Sequence, residues 1–246
     1  MKNGLAMNNP HGTSRLIKWC TRLAILCLVL VPLSVLAVRL GLHFSIGLPV
    51  FALSCLLSLL MIIVLVIASL LPRYRHHRKL ALVGTLPAIP PVALILVVLG
   101  SAGDYPAIHD ITTDTDDPPV FDAAPMVRDD DHNPLDIKPD VIVIQLQHYP
   151  DLGTIVSDLT AAEAFERASE VAESLDWEIY NSDPTNGIIE ATYTSFWFGF
   201  VDDIVIRVRE LRDGSEVDLR SVSRVGRGDL GANAARINAF TERFVE

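Results

Sequence analysis

The chain has 246 residues, half of them apolar, with 30 acidic and 20 basic residues and a formal charge of −10. The charges are segregated: the first 101 residues hold 9 basic and no acidic residues, and the rest hold 11 basic and 30 acidic ones, beginning at Asp104. Such an acidic second half lacks the basic footprint that phosphate backbones require, which excludes nucleic acid as a partner.

Cys20, Cys27 and Cys55 fall in or beside apolar stretches, so disulfides and thiolate metal sites are excluded from the second half. Three apolar runs, at about 23–40, 48–71 and 80–100, approach the roughly 20 residues a helix needs to cross a bilayer. The first reaches that length if Arg39 snorkels to the interface. Pro32, Pro87, Pro90 and Pro91 predict kinks, which neighbouring helices in lipid can accommodate. A cleaved leader is the other reading of the first run, and it leaves the second half on the same side.

Lys2, Arg15, Lys18 and Arg22 precede the first run, and Arg73, Arg75, Arg78 and Lys79 crowd the loop before the third. The loop between the first two has only Arg39. This asymmetry predicts a cytoplasmic amino terminus. After three crossings residues 101–246 lie outside, in the periplasm of a bacterium with two membranes, and the protein is multi-pass in the inner membrane. His76 and His77 in the basic loop read as headgroup-facing polarity.

Beyond the membrane part (1–101), residues 102–140 are rich in Pro and Asp and read as an extended linker that leads to or packs on a domain at 141–246. Residues 141–146 (VIVIQL) read as a short strand. Thr160 and Glu163 have capping-box spacing, followed by Phe165, Ala168, Val171, Ala172 and Leu175 on one helical face. Strands are expected at 177–181, 188–194, 203–210 and 216–225, with turns at DPTNG and at Asp213-Gly214. A last helix at 232–244 turns Ile237, Phe240 and Phe244 inward. The order β-α-β-β-β-β-α predicts an α+β domain, an antiparallel sheet with two packed helices.

Pairing Arg212 with Ser215 puts Ile204, Ile206, Val208, Val217 and Leu219 on one face. That register also sets Arg207 opposite Arg220, which calls for a counter-ion, either a nearby carboxylate such as Glu190 or Asp218, or a bound anion. The stretch VGRGDLG spells G-x-G-x-x-G, but no second parallel strand follows, so a dinucleotide is excluded. Gly226 and Gly228 permit a tight turn, Asp229 can cap the helix, and Arg224 and Arg227 flank a point that favours an anion. Arg224, Arg227, Gly226, Gly228, Arg207 and Arg220 are therefore the candidate binding residues.

His109, Asp110, Asp114, Asp116 and Asp117 form the densest set of potential metal donors, although Pro118 breaks the spacing of a calcium loop. A turn-rich segment bonding its own backbone is the alternative. The aromatic run at 195–200 fits a core position or an exposed tip that dips into a bilayer. His148, Ser195 and Asp203 do not make a nucleophilic triad by spacing.

HDITTDTDDPPVF, TSFWFGFVDDIVIRVR and VDLRSVSRVGRGDLGANAARI resemble the signature segments of the domain of unknown function 1499 family, over roughly 104–244. Membrane-anchored bacterial members are similar in carrying hydrophobic helices ahead of the domain. The resemblance implies no reaction, cofactor or catalytic residue. The sequence thus predicts a non-catalytic outer binding domain for an anionic envelope component, with no cofactor, no nucleotide and the lipid bilayer as partner. A metal-assisted hydrolase using His109 and its neighbouring aspartates, and a structural partner for another membrane protein, are the alternatives.

Overall fold

The computed structural model describes residues 10–102, 105–129 and 131–246; Lys2 and Asp104, used above, lie outside them. The chain divides into two compact units, Met1–Ser101 and Ala102–Glu246.

In the first unit, helices α1 (Pro10–Arg39) and α2 (Phe44–Leu70) pair around Ile17, Ala24, Met61 and Leu65. Their outer faces expose large apolar side chains such as Leu26, Leu33, Leu56 and Ile63. Water would not tolerate that surface, and lipid does. The hydroxyls of Ser34, Ser54, Ser58 and Ser69 donate to backbone carbonyls three or four residues back, so they remain satisfied without water.

The third apolar run differs from the expected single helix. It forms α3 (Arg78–Val83) and α4 (Ile89–Ala102), separated by a short turn at Leu86–Ala88. Pro87, Pro90 and Pro91 explain the break, because proline supplies no amide to the preceding turn. The stretches Pro72–Val83 and Leu86–Gly100 bend by 46°, so among the described residues two helices are long and apolar enough to cross a membrane, or up to three if the bent pair is one span.

The second unit is built on a six-stranded antiparallel sheet. Its strands are β1 (Asp110–Thr112), β2 (Ile155–Ser157), β3 (Glu178–Asp183), β4 (Ile188–Thr194), β5 (Val201–Leu211) and β6 (Gly214–Ser223). The order is β1-β6-β5-β4-β3, and β2 pairs with the other end of β6. A four-residue helix α5 (Ala124–Val127) and a longer α6 (Pro139–His148) precede β2. Helices α7 (Ala161–Ser174) and α8 (Ala232–Val245) contribute to the core on one face of the sheet.

Alternation decides which face is which. Ile204, Ile206, Val208, Val217 and Leu219 point to the helices, meeting Phe165, Val171, Ile237 and Phe240. Trp177 stacks on Phe240 at 5.5 Å, and Phe240 on Phe244 at 5.8 Å. The Thr160 hydroxyl accepts from the Glu163 amide and the Glu163 carboxylate accepts from the Thr160 amide, which closes the predicted capping box.

Two expectations are corrected. The run 141–146 is helical, inside α6, not a strand. Pro139 at the first helical position presets the backbone, and Val141 and Ile144 pack on the core at helical spacing. Buried Gln145 then clamps β1: its amide donates to the Thr112 carbonyl at 2.6 Å, and its oxygen accepts from the Thr112 amide at 3.0 Å.

The β5–β6 register also differs. Leu211 pairs with Gly214, which puts Arg207 opposite Asp218 and Arg209 opposite Glu216. A shift of two in the pairing keeps the same side chains inward but replaces the Arg207–Arg220 clash with opposite charges, and that electrostatic difference selects it. Gly214 sits at φ +107°, and a Cβ there would lie 2.1 Å from the Ser157 carbonyl oxygen of β2. At the β4–β5 turn Phe196 and Trp197 are exposed, so these two rings do not occupy the core.

Candidate functional site

The sheet face away from α7 and α8 carries Glu190, Asp203, Arg207, Arg209, Asp218, Arg220 and Arg224, and segment 110–135 lies across it. Each crossing point is a carboxylate knot. Arg220 donates to both oxygens of Asp110, at 2.9 and 2.8 Å, and lies over the Phe121 ring. Arg207 and Arg209 both reach Asp114, Asp117 and Asp218 at 3.0–3.2 Å. Glu190 accepts from the Asp122 and Ala123 amides, at 2.6 and 2.7 Å, and from Asn181. Asp203, fully buried, is held by Arg128 and Arg224.

Local electrostatics follow from this packing. Partial burial opposes ionisation of Asp114, but the Asp117 and Asp116 amides and the Arg207 and Arg209 guanidiniums outweigh it and hold the carboxyl below its usual range. Burial pushes the Tyr180 phenol up, and the Glu190 and Asp203 carboxylates add to that. His132 is pushed down by burial and by Arg224 and Arg128.

These knots account for most of the residues singled out in the sequence. Arg207, Arg220 and Arg224 are each neutralised by carboxylates of the domain itself. Asp110, Asp114 and Asp117 spend their oxygens on guanidiniums, while Asp114 also caps the Asp116 and Asp117 amides. His148 contacts the Ile144 carbonyl, and Asp203 is committed to arginine, so no triad forms with Ser195. Among the described residues, Asp129, Asp131 and His132 bring three potential metal donors together, a grouping the sequence reading did not identify.

The glycine turn leads to α8. Asp229 accepts from the Gly231 and Asn233 amides, at 2.8 and 2.9 Å, so the start of α8 already holds a carboxylate of its own. Burial raises the pKa of that carboxyl. Gly231, at φ +80°, faces the Tyr105 ring, and a Cβ would meet it at 2.4 Å. The turn is therefore a packed joint, and Gly228 presses on Ala107.

Beside the joint lies a recess of about 330 Å³. Gly226 and Arg227 line it from the turn, His109 and Asp110 from the start of β1, and Asp136, Lys138 and Asp140 from the start of α6. The Ser223 amide and the Asn233 side chain both donate to the His109 carbonyl, at 2.9 and 3.0 Å, fixing that wall. Asn133 bridges the Ser223 and Gly226 carbonyls at 2.9 Å and anchors the opposite lip. Helix α6 begins here with Lys138 at its N-cap and no side-chain cap. Among the described residues, neither Arg227 nor Lys138 enters an ion pair.

Of the candidate anion residues the structure thus brings only Arg227 and Gly226 to this recess, alongside His109 and Asp110 from the metal set. Lys138, Asp136 and Asp140 were missed, because LDIKPD carries no motif and its one clue is the Pro139 helix start.

Fold and site together define an antiparallel-sheet α+β domain, following an apolar helical unit, with a charged recess at the joint between β6 and α8. The family model described as Protein of unknown function (DUF1499) matches residues 110–244, more than half of the chain, and the chain belongs to that family. The match starts at the first residue of β1 and runs into the last turn of α8, so it takes in the segment laid across the sheet. No curated protein matches the chain.

Proposed function

We propose that the chain is a multi-pass inner-membrane protein whose outer domain binds an oxyanion-bearing envelope component without transforming it. The amino terminus is cytoplasmic and residues 101–246 are periplasmic in this reading. Support for the sidedness comes from Arg15, Lys18 and Arg22 before the first span and Arg73, Arg75, Arg78 and Lys79 before the third, against Arg39 between. It requires the bent pair α3–α4 to cross, since two crossings return the domain to the cytoplasm. A periplasm-active reporter fused after Glu246 is expected to be active. Activity of a cytoplasm-only reporter instead means that the bent pair re-enters.

The observation that carries the binding reading is that two cations without an ion pair line one recess, whereas Arg167 and Arg243, which also lack one among the described residues, donate to backbone carbonyls. Arg207, Arg209, Arg220, Arg224 and Arg128 are all matched by carboxylates, while Arg227 and Lys138 face the recess unmatched. Charge-assisted bonds to an oxyanion are the strong kind, and arginine presents a fork that fits one. With the full chain in phosphatidylcholine nanodiscs, Arg227→Ala with Lys138→Ala should weaken glycerophosphate binding by roughly tenfold or more. Unchanged affinity in a folded variant rejects the site.

A further inference from the structure

The recess holds as many unmatched carboxylates as unmatched cations. Asp136 and Asp140 line it with Arg227 and Lys138, and among the described residues none of the four enters an ion pair. Asp110 does not count toward this balance, because Arg220 occupies both of its oxygens and its side chain is 5% exposed. All four residues line one recess of about 330 Å³, so a ligand seated there meets cations and carboxylates together. A plain oxyanion gains from two cations there and is repelled by two carboxylates. A plain ammonium meets the reverse.

Only a ligand carrying both signs matches the wall. We infer that the recess takes a small zwitterion, a primary ammonium joined to a phosphate-type oxyanion a few bonds away. Arg227 and Lys138 hold the oxyanion, and Asp136 and Asp140 accept hydrogen bonds from the ammonium. A quaternary ammonium has no N–H to give and is selected against. The volume falls at the small end of the range of about 300–1,000 Å³ for ligand pockets, which suits a headgroup-sized molecule. This inference rests on the anion reading above and adds the second charge to it.

The test compares four soluble probes on the full chain in phosphatidylcholine nanodiscs: glycerophosphoethanolamine, glycerophosphocholine, glycerophosphate and ethanolamine. Glycerophosphoethanolamine is expected to bind about tenfold or more tighter than each of the others. Asp136→Asn with Asp140→Asn should erase its advantage over glycerophosphate and leave glycerophosphate binding no weaker. Equal binding of the two probes to the unaltered protein, a comparison that needs no variant, overturns the zwitterion and leaves the anion site standing. Binding of neither overturns both. Replacing part of the host lipid with phosphatidylethanolamine separates the sources: displacement of the soluble probe assigns the site to a lipid headgroup, and undiminished probe binding assigns it to a free solute.

Discussion

The two faces of the sheet are buried by opposite means. Toward α7 and α8 the strands present Ile189, Ile204, Ile206, Val208, Val217 and Leu219, and the cover is a pair of amphipathic helices. Toward segment 110–135 the same strands present carboxylates and guanidiniums around Val205 and Val222, and Phe121 and Ala124 of the segment complete that small apolar patch. The first cover is held by non-directional burial, which tolerates volume-conserving exchange. The second is held by hydrogen bonds of fixed geometry, because an irregular segment has no repeating apolar stripe to bury. Its backbone polar groups need partners as well, and Glu190, Gln145 and Arg220 supply them. A fold thus uses one sheet twice, for cohesion on one side and for registration on the other.

The contrast is sharpest at Asp203. Its side chain is 0% exposed, and it balances Arg128 at 6% and Arg224 at 14%. Asp203→Ala strands two guanidiniums beneath the segment, which should cost about 3–5 kcal/mol. Phe240→Ala in the helical core costs a similar amount, about 3–5 kcal/mol, through its cavity. The two losses separate on repair. Replacing Asp203, Arg128 and Arg224 together with apolar side chains of similar volume should recover most of the stability, since a buried ion group rarely exceeds its own desolvation penalty by much. Thermal unfolding of the three proteins checks this. A triple variant as unstable as Asp203→Ala would mean that the knot supplies cohesion, and the contrast between the faces would fail.

The helix-covered face was the legible one. Period-two alternation in β5 and β6, the Thr160–Glu163 cap and the Ile237–Phe240–Phe244 stripe are local patterns, and the structure keeps them all. The charged face was not legible for a physical reason. Asp110 and Arg220 are 110 residues apart and Arg128 and Asp203 are 75 apart, and no periodicity marks such partners. Residues 141–146 misled because β-branched side chains raise strand propensity, whereas the Pro139 start and the anchoring of Gln145 on β1 select a helix. The hairpin slipped because Asp213-Gly214 fits two turn positions, and only cross-strand charge tells them apart. The recess was visible in part, through Arg227 and Gly226, because glycine turns are local. Lys138 arrives from 89 positions away, through the packing of α6.

Acid offers a gentler probe of the same face. Asp114 holds its proton more weakly in the folded chain than in the unfolded one, because the Asp116 and Asp117 amides and the Arg207 and Arg209 guanidiniums outweigh its desolvation. A depressed carboxyl contributes stability above its unfolded pKa, near 4, and loses it as pH falls below about 4 toward the folded value. Arg209 is 37% exposed and Asp117 is 69% exposed, so solvent screens part of the effect and it ranks below the loss of Asp203. Asp114→Asn keeps the shape and removes the charge. Its stability should fall below that of the unaltered chain at neutral pH, and the gap should narrow as pH drops from about 5 to 3. A denaturant midpoint series over that range reads the gap directly. A gap that stays constant would show that Asp114 holds the segment through its neutral hydrogen bonds, and would move this knot from the ionic face to ordinary turn chemistry.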